Sequence, residues 1–154
     1  MSDNSTSSRL GTPALALGYA GLLPQGIALA LALNGGEWGF VAIAGGFGYA
    51  ALIFSFLGGV WWGQALAADQ VSAEPFLFAV APSLIALALF LPWTFGWEWP
   101  GPQLIILGLL IGLSPIVDRI LGFADRAFMR LRLHLSVGLG ALTIALGLAA
   151  RQMV

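Results

Sequence analysis

Charged residues are so sparse along this chain that they cut it into long neutral runs, at 10–36, 38–68, 75–97, 99–117 and 133–150. A helix crosses a hydrocarbon layer of ~30 Å with roughly 20 apolar residues at a rise of about 1.5 Å per residue. Each run holds one such crossing, and none holds two with a turn between them. The pattern predicts helices over about 12–33, 38–65, 75–92, 102–122 and 131–150. Pro24 interrupts the first, and Asn34-Gly35-Gly36 ends it. The third contains Pro82 and stops at Leu91-Pro92-Trp93; the fourth starts near Pro102, where a proline suits the first turn, and continues past Pro115. A closed barrel is disfavoured, because the runs are continuous and rich in Leu and Ala rather than alternating. The expected fold is therefore all-α: a polytopic membrane protein built as a five-transmembrane-helix bundle. Residues 10–154 form one transmembrane domain behind a polar tail, 1–9.

Composition agrees with the pattern. Of 154 residues, 59% are hydrophobic and only 8% charged, against about 25% charged in an average soluble domain. A soluble core of this size could not bury so much apolar surface. The six basic residues are all Arg and meet seven Asp and Glu, for a net charge of −1. No basic surface exists to neutralise phosphates, which argues against nucleic-acid binding. The absence of Cys excludes disulfides, thiolate metal sites and Cys nucleophiles, and the single His excludes a bis-His haem or multi-His zinc site from one chain. No cofactor, metal or catalytic residue is expected, and the chain is read as a non-enzyme.

Arginine placement gives an orientation. With five crossings, Arg9, Arg119, Arg126, Arg130 and Arg132 fall on one side, and only Arg151 on the other, beside Glu37 and Glu98. The positive-inside bias puts the N-terminus in the cytoplasm and the C-terminus in the periplasm, with Trp93, Trp97 and Trp99 at the outer interface. The first run follows Arg9 but is long enough to span and lacks a convincing cleavage site, so it is expected to stay as a crossing. The tail lacks the Arg-rich pattern of a transit peptide, which favours a bacterial cytoplasmic (inner) membrane.

No ionisable group lies at the centre of a crossing, although charges survive there only for a reason. This argues against proton relays and voltage sensing. The densest polar region is cytoplasmic: Asp118, Arg119, Asp125, Arg126, Arg130, Arg132 and His134. It reads either as an anchor for anionic lipid headgroups or partner acids, or as a topology signal in which Asp118 neutralises Arg119 or an Arg of the next helix. His134 reads as an interfacial hydrogen-bonding group, and Ser136 beside it as a weak nucleophile candidate. On the second crossing, Ser55, Gly58, Gly59 and Trp62 share a face at helical spacing, and Gly63 extends a small-xxx-small pair with Gly59. Gly108 with Gly112 and Ala141 with Ala145 make further such pairs. That face is expected to pack on a helix of this chain or of a partner; a flat ligand against Trp62 is the alternative. Pro24, Pro82 and Pro115 each free a carbonyl one turn earlier, either for solute or for repair by neighbouring hydroxyls such as Ser83 and Ser114.

Several strings taken together resemble the transmembrane protein 69-like group, a domain of unknown function in bacteria and mitochondria. They are Leu17-Gly18-Tyr19-Ala20-Gly21-Leu22-Leu23-Pro24, Ser55-Phe56-Leu57-Gly58-Gly59-Val60 with Trp62-Gly63, Ala81-Pro82-Ser83-Leu84, Asp118-Arg119, and Arg130-Leu131-Arg132-Leu133. The resemblance covers about 10–150 and implies five helices and an inner-membrane location, but no reaction. Occurrence in mitochondria and bacteria suggests service to a shared membrane machine. The expected function is that of an accessory or assembly-type subunit packing laterally on a larger energy-converting (respiratory or photosynthetic) complex. The alternative is a homo-oligomeric carrier or channel for a small neutral or anionic solute, and a lipid-acting enzyme ranks third.

Overall fold

A computed structural model describes residues 11–97, 100–122 and 126–152. Arg9, Glu98, Trp99 and Asp125, invoked above for topology and for the polar cluster, lie outside the described residues. Six helices follow in order: α1 (Thr12–Ala20), α2 (Leu23–Asn34), α3 (Glu37–Ala67), α4 (Glu74–Thr94), α5 (Gly101–Leu121) and α6 (Arg126–Arg151). The first two make one candidate span, Thr12–Asn34, so the helices supply five segments long and apolar enough to cross a membrane.

Local chemistry explains the boundaries. The first span breaks at Gly21-Leu22, just ahead of Pro24, which takes its place in the first turn of α2. The chain leaves α2 through Gly35 and Gly36, with φ of 68° and 75°, a region that side chains with a Cβ avoid. Gly122 caps α5 in the left-handed conformation and returns its N–H to the Asp118 carbonyl. At 31 residues α3 is the longest helix and would measure about 46 Å, more than the ~30 Å of a hydrocarbon layer.

Contact registers give the topology. α3 runs antiparallel to α4, with Gly58 against Ala79, Trp62 against Phe76 (ring centroids 4.8 Å) and Phe47 against Phe90 (6.1 Å). α5 and α6 form the most closely joined antiparallel pair, while α2 lies parallel to α6 through Gln25 and Thr143. Thr12 and Arg151 consequently sit at opposite ends of the bundle. The core is apolar and centred on Ile43, Phe47, Leu104, Leu107, Ile111 and Leu146, all essentially inaccessible.

Candidate functional site

The inward face of α5 follows a helical period through Leu104, Leu107, Gly108, Ile111, Ser114 and Pro115, and ends on Asp118. The inward face of α6 begins at Arg132 and continues through Ser136, Leu139, Gly140, Thr143 and Leu146. Antiparallel pairing of these two stripes sets Gly108 on Gly140, Ser114 on Ser136 and Asp118 on Arg132. The charged pair is thus a continuation of the packing stripe, not a surface decoration.

The Arg132 Nε donates to Asp118 Oδ2 at 2.8 Å, and the Trp61 indole N–H donates to Oδ1 at 2.7 Å. Asp118 is 1% exposed, Trp61 3% and Arg132 8%. A carboxylate removed from water needs both oxygens satisfied, and here one helix supplies an indole and another a guanidinium. The fork of Arg132 is only partly used: its Nη2 is buried without a hydrogen-bond partner among the described residues. Asp118 with Arg132 is the one ion pair among the described residues.

A hydroxyl chain adjoins it. Ser114 donates to the Ile111 carbonyl at 2.7 Å, the acceptor that Pro115 leaves without its helical N–H. Its single proton being so used, the Ser136 hydroxyl donates to Ser114 Oγ across 3.2 Å. The break in the first span is closed similarly, because the Tyr49 hydroxyl donates to the Gly21 carbonyl. Deeper in the bundle, Gln25 donates to Thr143 Oγ1 at 3.1 Å, and its own Oε1 has no partner among the described residues. On the exposed side of the α1–α6 contact, Tyr19 Oη and His134 Nδ1 lie 3.1 Å apart.

The structure brings together some of the residues singled out from sequence and separates others. Asp118 pairs with the Arg of the neighbouring helix, while Arg119, Arg126, Arg130 and His134 are exposed at the same end. Pro82 is buried on the α3 side of α4, whereas Ser83 faces outward. The face drawn through Ser55, Gly58, Gly59, Trp62 and Gly63 divides. A Cβ on Gly58 would strike the Ala79 carbonyl of α4, but Gly59 and Gly63 have open space around them, and Trp62 is exposed beyond its contact with Phe76. The physical reason is that α4 approaches one flank of the drawn face, where Ala79 and Pro82 meet Gly58 and Phe76 meets Trp62. Gly112 is likewise open, and the partner of Gly108 is Gly140 rather than the Ala141 and Ala145 pair.

Trp61 was not singled out from sequence, although it stands next to Trp62. Its signal is the period of α3: Phe47, Ala50, Phe54, Leu57, Trp61 and Ala65 recur every three or four positions and are all buried.

These features define a polytopic, all-helical membrane protein whose one buried ion pair joins its last two helices, among the described residues. The sequence matches the family described as Protein of unknown function (DUF3429) across residues 10–149, and the chain belongs to that family. No curated protein and no solved structure matches it.

Proposed function

We propose that this chain is a non-catalytic inner-membrane protein, an accessory or assembly-type subunit that packs laterally on a larger energy-converting complex, in keeping with its resemblance to the transmembrane protein 69-like group. The observation that carries the reading is on α3. Gly45, Gly59 and Gly63 lie on the side opposite its buried stripe, are exposed, and have nothing of their own chain within 4 Å of a built Cβ. A mid-helix glycine costs about 1 kcal/mol against alanine, and where no helix of the same chain approaches, that cost is offset by close contact with a foreign helix. Ser55, half-buried on the flank of this stripe, offers a hydroxyl to such a partner. Arg119, Arg126 and Arg130 are exposed for anionic headgroups or partner acids on the side assigned to the cytoplasm.

The carrier reading has less support. The Ile111 carbonyl at the Pro115 break and the Gly21 carbonyl in the first span are taken by Ser114 and Tyr49, so these two acceptors are not open to a solute. Purification in mild detergent followed by mass spectrometry tests the proposal. Stoichiometric foreign membrane subunits are expected with the native chain and are lost with Gly59→Leu and Gly63→Leu, whose thermal unfolding stays native-like. Self-oligomers alone, together with solute flux in liposomes, would overturn it in favour of a carrier.

A further inference from the structure

A cavity of about 210 Å³ lies between the broken first span, α3 and α6. Leu17, Gly18, Gly21 and Leu22 form one wall, Phe56 and Leu57 another, and Arg132 and Ser136 supply its polar end. For comparison, an apolar cavity of about 150 Å³ accommodates benzene. Leu17 and Phe56, 75% and 65% exposed, flank its mouth on the outer surface of the bundle.

The polar end has a definite hydrogen-bonding character. Arg132 is nine-tenths buried, lines the cavity and spends only its Nε on Asp118. Ser136 has given its proton to Ser114 and offers only lone pairs. The cavity therefore presents one strong donor to whatever enters. Its charge is already balanced, since Asp118 neutralises Arg132. A second anion would enter a buried site with no net positive charge to compensate its desolvation, whereas a neutral carbonyl accepts from the guanidinium without adding charge.

We infer that this cavity binds the acyl ester end of a neutral lipid, the ester carbonyl accepting from the Arg132 guanidinium and the hydrocarbon chain filling the space between Leu17, Leu22, Phe56 and Leu139. Depth supports an ester. Arg132 lies six residues from the start of α6, about 9 Å along its axis, near the boundary of the apolar layer where acyl esters reside. This site is independent of any partner complex and is distinct from the exposed arginines that face anionic headgroups.

Thermal unfolding of the delipidated protein in detergent provides the test, with monoolein, oleate, hexadecene and a short-chain benzoquinone as probes. Monoolein is expected to protect at concentrations at least tenfold below oleate, and hexadecene not at all. Arg132→Lys keeps a cation on Asp118 but removes the guanidinium fork, and should weaken monoolein protection about tenfold. Leu17→Trp leaves the polar end intact and closes the mouth at an exposed position, and should do the same; it decides the matter if the Arg132 variant does not fold. Equal protection by oleate, undiminished monoolein protection in Leu17→Trp, or protection by the quinone but not by monoolein would each overturn the assignment.

Discussion

Asp118 shows at the scale of a single residue how a charge survives inside an apolar bundle. Its two oxygens accept from Trp61 and Arg132, and removal of either donor leaves part of a buried carboxylate without compensation. Asp118→Ala should destabilise by about 3–5 kcal/mol, because it strands a buried guanidinium. The double variant Asp118→Ala with Arg132→Met should be more stable than Asp118→Ala alone, since both charges are gone. Chemical or thermal unfolding in detergent, run as a double-mutant cycle, measures this coupling. Trp61→Phe keeps the ring in the core but loses a charge-assisted hydrogen bond, with an expected cost of about 1.5–3 kcal/mol. Ser114→Ala removes the repair of the Ile111 carbonyl and the acceptor of Ser136 together, and should cost about 1–3 kcal/mol by the same assay.

Close backbone approach decides how the elements fit. Built Cβ atoms on Gly108 and Gly140 would each lie 2.7 Å from the other's carbonyl oxygen, and one on Gly147 would lie 2.8 Å from that of Gly101. These distances leave no room for a methyl group, so the α5–α6 seam depends on glycine. Gly58 plays the same part between α3 and α4. Gly58→Leu and Gly108→Leu should therefore abolish folded monomer on size exclusion, whereas Gly112→Ala, in open space, should stabilise by about 0.5–1 kcal/mol. All these glycines stand in small-xxx-small patterns or near them. Sequence spacing marks a glycine as permissive of contact, but the neighbour's position determines whether contact occurs.

For the whole molecule, sidedness is the property to measure. Because the chain contains no Cys, single cysteines can be introduced without removing native ones. Val71→Cys lies in the α3–α4 turn and Phe95→Cys just beyond α4, both exposed and at opposite ends of α4. The arginine bias predicts that an impermeant thiol reagent labels Phe95→Cys in intact cells and Val71→Cys only after the membrane is opened. The reverse result would invert the orientation.

How much was legible beforehand depended on the range of the forces involved. Number, class and approximate limits of the crossings follow from the neutral runs, because the cost of burying charge in hydrocarbon acts on each residue separately. Stops at Asn34-Gly35-Gly36 and at Gly122, the interruption of the first span ahead of Pro24, and the first-turn role of Pro102 are also local, set by backbone sterics within a few positions. Repair of the Pro115 break by Ser114 belongs to the same class, since donor and acceptor are three residues apart. By contrast, Trp61 and Asp118 are separated by 57 residues and Tyr19 and His134 by 115. Helices apolar on every side carry no mark of which face meets which neighbour, so only their packing could select Arg132 over Arg119 as the partner of Asp118, separate Gly58 from Gly59, and leave a cavity between the first span, α3 and α6. The chain's own chemistry determined that it enters the membrane and where it turns; the three-dimensional arrangement decided which of its few polar atoms meet, because those meetings join residues distant in sequence and depend on the register between whole helices.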